Sequence, residues 1–323
     1  MFRFPASDRV VLQGLMGAFG PTDNYNLWPD DVWDMNEQVM YWLGTASNRP
    51  EITDTLTRWF ESGGNNGGLW MVHNYVKTAR FAGNDTKLVK YAWPVIVSSV
   101  MDQAGKAQAA PGSLKLLQDG IYHIVGCNSP EYKCYPPFQS RACSPKQDCN
   151  FALSQLRWGL QTALELADEF PELAADLKQR GIATRWWQVL LAGKLAWYPY
   201  DDVTGFRLDA NCTFEASIDS RVVFSFCRWA RAFVLCFCVP PLPAMLLVVP
   251  CIGGPSKGAF ECPHRHFSHL LQVFDLETVV YDTSPQGNAT VNTIIHNGVD
   301  NWYRVTCNQS NWFNEECKKC APM

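Results

Sequence analysis

Apolar residues recur at helical spacing along most of this chain. A first run, Val32, Met35, Val39 and Trp42, advances by three, four and three residues, which predicts one face of a helix. Residues 69–81 form a second predicted helix, and a third runs from Asp85, its predicted N-cap, toward Met101. Pro94 lies inside this third segment and predicts either a kink or a later start of the helix.

The clearest helical pattern extends over residues 150–170. Its apolar face is formed by Leu153, Leu156, Leu160, Leu164 and Ala167. Pro171 can open the next helix, and Gly181 can end it. The best strand signals are short and cover only residues 278–281 and 289–295. The pattern therefore predicts an all-α fold of paired helices, a helical toroid, with few short strands.

One long segment does not follow this pattern. Residues 232–256 contain no charged side chain. Residues 222–252 are largely apolar, and this segment is long enough to match a membrane span. Four prolines interrupt the run, however, which is costly for a spanning helix and for a core helix alike. We therefore expect no membrane partner and regard residues 217–259 as an anomalous apolar insert, with translated intron sequence as a hypothesis for its origin.

The composition narrows the function further. With 323 residues, of which 47% are apolar and 18% charged, the chain can bury a large core. Its net charge of −4 provides no basic field for phosphates, so no nucleic-acid partner is expected. The 13 cysteines, together with N-x-S/T sequons at Asn84, Asn211, Asn288 and Asn308, favour the secretory pathway. Residues 1–20 nevertheless lack the sustained apolar stretch of a signal peptide.

Three histidines lie close together in His264-Arg265-His266-Phe267-Ser268-His269. On a helix the first two would point to opposite sides, and on a strand the third would fall away from them. No HExxH motif or carboxylate at ligand spacing accompanies them, so the sequence predicts neither a metal nor another cofactor. Arginine and histidine offer directed donors to sugar hydroxyls, which favours a pocket wall over the alternative of a structural or surface histidine cluster.

Two further segments carry candidate chemistry. Glu131, in Ser129-Pro130-Glu131, is a loop carboxylate that could serve as a general acid. Residues 28–38 are dense in acids, amides and tryptophan, including Trp33, as sugar subsites often are. Asp34 and Asn36 can cooperate only if the helix begins near Asn36. Otherwise the acids of this segment would simply complement the dipole of a helix N-terminus.

Taken in order, these pieces resemble the catalytic domain of glycoside hydrolase family 95, the α-L-fucosidase family. The segment Asp34-Met35-Asn36-Glu37-Gln38-Val39-Met40-Tyr41-Trp42 is similar to a family segment that ends in Gln-x-x-Tyr-Trp. Leu69-Trp70-Met71-Val72-His73 corresponds to a Trp and a His on the following helical hairpin, and Ser129 to Glu131 matches Ser-Pro-Glu. The stretch from His264 to Leu270 matches His-Arg-His-x-Ser-His-Leu in full. The resemblance covers roughly residues 12–210 and 261–317.

The resemblance implies an (α/α)6 barrel and an inverting mechanism. Glu131 would be the proton donor, and Asp34 and Asn36 stand where the fucosidases use two Asn to hold the attacking water. Asp34 departs from that pattern, which leaves it as a possible base or a sign of another substrate. The nearest candidates for the acidic partner are Asp300, Glu315 and Glu316. The residues expected to contact the sugar are Trp33, Trp70, His73, His264, Arg265, His266 and His269.

Three departures from the family shape the expectation for this chain. The family's N-terminal β-sandwich has no counterpart, residues 217–259 have none either, and the chain stops at Met323, where further barrel helices are expected. We therefore expect an incomplete barrel, with its first part in residues 1–216 and its later part in residues 260–323.

The expected function is an exo-acting inverting hydrolase that releases α-L-fucose, or the closely similar α-L-galactose, from an oligosaccharide or glycan. Three alternatives stay open. They are a truncated inactive product that at best binds glycan, a protein tethered to a membrane by residues 222–252, and a glycoside phosphorylase.

Overall fold

The computed structural model describes residues 38, 41–42, 47–49, 53–63, 68–127, 147–202, 205–207, 210, 270–284 and 286–306. Helices account for 60% of these residues and strands for few, which confirms the mostly helical class. The described residues divide into two compact units. Unit 1 contains the described residues of the ranges Met1–Val125, Phe151–Trp197 and Leu271–Val280. Unit 2 contains the described residues of the ranges Gly126–Asn150, Tyr198–Leu270 and Tyr281–Met323.

Unit 1 is built from helices. In chain order these are α1 (Asp54–Glu61), α2 (Gly68–Phe81), α3 (Asp85–Lys87), α4 (Trp93–Ala104), α5 (Asn150–Glu169, from Phe151 onward), α6 (Pro171–Gln179) and α7 (Thr184–Val189). A π-helical turn over Leu88–Ala92 connects α3 to α4, and another over Leu190–Lys194 follows α7. Between α4 and α5, strands β1 (Lys115–Leu116) and β2 (Tyr122–His123) pair antiparallel.

Helix α2 lies in the core of unit 1. Ten of its residues are buried, including the polar side chains of His73, Asn74 and Thr78. Such buried polar side chains must find partners within the protein, because water cannot reach them. Gly159 of α5 allows close packing here, since a Cβ at this position would lie 2.9 Å from side-chain atoms of Leu69 and Val100.

The predicted helices over residues 69–81, 85–101 and 150–170 are confirmed, with one change of cap. Most of the first predicted helix, residues 32–42, lies outside the described residues. Asn84, not Asp85, is the N-cap of α3, because its side-chain oxygen accepts a hydrogen bond from the backbone N–H of Lys87 at 3.1 Å. Pro94 lies in the first turn of α4, directly after the π-helical turn, as a later start of that helix requires. Pro171 likewise opens α6, and Gly181, with φ of 70°, follows its end.

Unit 2 joins a small hairpin to one long helix. Strands β3 (Tyr200–Asp201) and β4 (Gly205–Phe206) pair antiparallel, and α8 (Ala289–Thr306) packs against β4. Contact is close, since a Cβ on Gly205 would lie 2.2 Å from the backbone nitrogen of Gly298. A disulfide between Cys127 and Cys149 also belongs to this unit.

Both predicted strands are wrong. Residues 289–295 begin helix α8, because Asn288 caps it by accepting from the Val291 N–H at 3.1 Å and because the helix buries Ile294 and Ile295. Residues 278–281 form no strand either. The backbone N–H of Val279 turns back to the carbonyl of Gln272 at 2.8 Å, which closes a turn instead of an extended ladder.

No helix within the described ranges combines the length and the apolar character that crossing a membrane requires. Residues 222–252, which carry the membrane alternative, lie outside those ranges.

Candidate functional site

A buried polar cluster connects α2 to the turn of residues 271–280 in unit 1. Trp70, His73 and Lys77 are spaced by three and four residues, so their side chains share one face of α2. Asp275, in the turn of residues 271–280, lies opposite that face. These four residues are called the Asp275 cluster below.

The carboxylate of Asp275 lies close to all three α2 side chains. The indole N–H of Trp70 donates a hydrogen bond to Oδ2 of Asp275, and Nδ1 of His73 lies 3.6 Å from the same oxygen. Nζ of Lys77 lies 3.6 Å from the other oxygen, Oδ1. The Asp275 side chain is only 2% exposed, whereas that of Lys77 is 41% exposed. The cluster therefore reaches from the core to solvent through the lysine.

Burial shifts the pKa of two groups in the cluster, Asp275 and His73. Desolvation raises the pKa of Asp275, against the hydrogen bond from Trp70 and the positive charge of Lys77, which favour the carboxylate. Desolvation, followed by the charge of Lys77, lowers the pKa of His73 from 6.5 to about 3. His73 is therefore a neutral imidazole at physiological pH, with one protonated and one unprotonated ring nitrogen.

The turn that carries Asp275 is held in an uncommon backbone conformation. Asp275 has φ of 78° and Glu277 has φ of 50°, in the left-handed region that non-glycine residues rarely adopt. The backbone N–H groups of Leu276 and Val279 donate to the carbonyls of Leu271 and Gln272 at 3.2 and 2.8 Å, which closes the turn. Each left-handed residue costs on the order of 1 kcal/mol, so the surrounding contacts must hold this shape.

Further polar contacts fix the turn and the helix around the cluster. Gln272 is fully buried, and its side-chain oxygen accepts from Oγ of Ser154 on α5 at 3.3 Å. On α2, Nδ2 of Asn74 donates to Oε1 of Gln38 at 2.6 Å. The ring of His73 meets the ring of Trp158 edge-on at 5.0 Å between centroids. The imidazole is thus confined on the side of Trp158 as well as on the side of Asp275.

Two of the motif segments and the turn of residues 271–280 approach each other in this region. Gln38 and Trp42 end the segment that was compared with Gln-x-x-Tyr-Trp, and they contact Asn74 and Phe274 respectively. Trp70 and His73 represent the second segment. Asp275 follows the last histidine of the His264 stretch by six residues. Segments that are far apart in the sequence are therefore adjacent in unit 1.

Of the residues predicted to act on or contact the sugar, the structure brings Trp70 and His73 together. The others in the predicted site lie outside the described residues: Trp33, Asp34, Asn36, Glu131, His264, Arg265, His266 and His269. Of the candidates for the acidic partner, Asp300 is exposed on α8 in unit 2, and Glu315 and Glu316 lie outside the described residues. The sequence reasoning missed Lys77 and Asp275. Lys77 could have been found from its i+4 spacing to His73, whereas no local signal in the sequence indicates Asp275.

Two other kinds of site can be compared with this cluster. A depression of about 470 Å³ lies along α6 and the start of α7, where Lys178 and Arg185 flank a small apolar floor, and none of the predicted residues lines it. Among the described residues, no group of three or more His, Cys, Asp or Glu side chains could hold a metal ion. The Asp275 cluster is the candidate site, because it contains Trp70 and His73, the two residues of the predicted set that the structure describes.

No family model, curated protein or solved structure matches this chain.

Proposed function

We propose that this chain is an exo-acting, inverting glycoside hydrolase that releases α-L-fucose, or the closely similar α-L-galactose, from oligosaccharides or glycans. The proposal includes the (α/α)6 toroid that the resemblance implies and the same set of sugar-contacting residues. No metal or other cofactor takes part in it.

The observation that carries the proposal is the Asp275 cluster. Trp70 and His73 were predicted from the sequence to contact sugar, and both meet a buried carboxylate just beyond the histidine motif. A neutral imidazole whose surroundings include an indole and a carboxylate is suited to hydrogen-bonding a sugar hydroxyl. Such a fixed set of directed groups is what discrimination between sugars requires.

The disulfide between Cys127 and Cys149 supports a location in the secretory pathway for the proposed function. Stable disulfides are typical of secreted proteins and of oxidising compartments, where glycans are also found. In the sequence, this bridge encloses Ser129-Pro130-Glu131, the tripeptide with the proposed proton donor.

The proposed mechanism needs two functions on opposite sides of the scissile bond. Glu131 would protonate the leaving oxygen, while Asp34 and Asn36 would hold the water that attacks the anomeric carbon. Inverting enzymes separate the acid from the water-activating group by about 6.5–9.5 Å, which leaves room for that water. Trp70 and His73 would belong to the residues that line the sugar site.

Release of sugar by a Glu131→Gln variant tests this assignment. With a fucosylated oligosaccharide that has a poor leaving group, we expect kcat to fall by about a hundredfold or more, because general acid catalysis is worth about 10²–10⁴-fold. Glu172→Gln, at an exposed position in α6, is the matched control and should retain the wild-type rate. A near-normal rate for Glu131→Gln would remove Glu131 from the mechanism.

The same assay separates the alternatives. An inactive glycan-binding product would retain fucosylated glycan without releasing sugar. A phosphorylase would release sugar phosphate only when inorganic phosphate is present. A protein tethered to a membrane by residues 222–252 would enter the detergent phase when the full chain is partitioned between detergent and water.

A further inference from the structure

We propose that Asp275 is a positioning residue of the sugar site. Its carboxylate holds the proton of His73 on Nδ1, and it thereby leaves Nε2 to accept a hydrogen bond from a sugar hydroxyl. This inference rests on the proposed function, because it gives a specific form to the sugar contact of His73. It adds a residue that the sequence comparison did not include.

The geometry favours one tautomer of His73. Its Nδ1 is buried and has no hydrogen-bond partner within the described residues, yet it faces Oδ2 of Asp275 at 3.6 Å. An N–H dipole directed at a carboxylate is attractive, whereas a nitrogen lone pair in that position would be repelled. The proton therefore belongs on Nδ1, and Nε2, on the opposite side of the ring, retains the lone pair.

The remaining contacts keep the carboxylate in a position to do this. The indole N–H of Trp70 and the ammonium of Lys77 each bind Asp275, and both favour its charged form. Glu277 competes for the same lysine from the solvent side, at 3.8 Å, with a side chain that is 72% exposed. The acid that faces His73 is thus the buried one of the two.

Fold stability alone does not account for this arrangement. Burying a carboxylate costs free energy that a partly exposed lysine repays poorly, so a buried ion pair is weak evidence of stabilisation. Asp275 also has a left-handed backbone, with φ of 78°, in a turn held by several hydrogen bonds. Strain and desolvation that coincide on one residue are typical of groups maintained for function.

The proposal predicts how loss of the carboxylate changes catalysis. A hydroxyl contact that is equal in ground state and transition state affects KM and leaves kcat unchanged. Asp275→Asn should therefore raise KM for the fucoside about tenfold, the worth of one hydrogen bond, with kcat changed by less than about twofold. A merely structural role would instead lower the fraction of folded enzyme, which lowers apparent kcat at unchanged KM.

The tautomer can be observed directly by ¹⁵N NMR of the histidine side chains in the full chain. The His73 signals are assigned by their loss in His73→Gln. In the wild type we expect a protonated Nδ1 and an unprotonated Nε2. In Asp275→Asn the new amide can donate to Nδ1, so the protonated nitrogen should become Nε2. Glu277→Gln removes the same charge two residues away and should leave the wild-type tautomer.

Two results would overturn the proposal. One is a wild-type His73 protonated on Nε2, which decides the question even if Asp275→Asn does not fold. The other is a folded Asp275→Asn variant in which the tautomer and KM both remain those of the wild type. If wild-type protein releases no sugar at all, the proposed function fails, and the NMR spectra still decide whether Asp275 sets the tautomer.

Discussion

Acidification should destabilise unit 1 through His73. Burial, followed by the charge of Lys77, lowers the pKa of His73 from 6.5 to about 3. The unfolded chain therefore binds a proton at His73 near pH 6.5, whereas His73 in the folded protein stays neutral until the pH falls toward 3. The stability linked to neutral His73 is complete above pH 6.5 and is lost as the pH falls toward 3. Over the two pH units down to pH 4.5, at about 1.4 kcal/mol per unit, the loss is about 2–3 kcal/mol.

Asp275 acts in the opposite direction. Burial raises its pKa above 3.8, so its contribution to stability is complete below 3.8 and is lost as the pH rises through the folded-state value. Acidification thus weakens unit 1 through His73 and strengthens it through Asp275. Comparing the wild type with His73→Gln separates the two effects, because Asp275 is present in both proteins.

Urea unfolding followed by tryptophan fluorescence, at pH 7.5 and pH 4.5, measures the difference. Between these two pH values the wild type should lose about 2–3 kcal/mol more free energy of unfolding than His73→Gln. His296→Gln, at an exposed position of α8, is the control and should show the wild-type loss. An equal loss in the wild type and in His73→Gln would refute the reasoning, because the folded protein would then protonate His73 as readily as the unfolded chain does.

Three further predictions concern unit 2. Cys127→Ser should lower the free energy of unfolding by about 3 kcal/mol, because the bridge to Cys149 closes a loop of 22 residues; an unchanged Tm under oxidising conditions would contradict this. Gly205→Ala should lower Tm and expose α8 to proteolysis, because φ is 77° and the new Cβ would meet Gly298; wild-type resistance to protease would contradict it. Asn288→Ala should lower the free energy of unfolding by about 1 kcal/mol and accelerate hydrogen exchange in the first turn of α8. Asn288→Asp should preserve the cap, and equal exchange in the two variants would argue against capping.

Local patterns were sufficient for most helices but not for all. Helices α2, α5 and α6 follow from apolar spacing, Pro171 and Gly181, since each signal acts within one or two turns. The strand prediction for residues 289–295 failed because Val291, Ile294 and Ile295 also fit helical spacing. The cap at Asn288 and burial in unit 2 then outweigh the β-preference of branched residues.

The candidate site could be predicted only in part, because its contacts are long-range. Trp70 and His73 were found through a motif, but the partner of Trp70 lies 205 residues away in the sequence. No local pattern indicates that Asp275 turns inward, since an aspartate in a turn is usually solvated. The same holds for Cys127 and Cys149, which are two of 13 cysteines whose pairing depends on the fold.

The glycosidase proposal is tested most directly by the anomeric form of the first sugar released. The purified full chain is incubated with an α-L-fucosylated oligosaccharide, and ¹H NMR follows the product before mutarotation. We expect β-L-fucose to appear first, as inversion requires. Release of α-L-fucose first, or no release from any α-L-fucoside or α-L-galactoside, would contradict the proposed function.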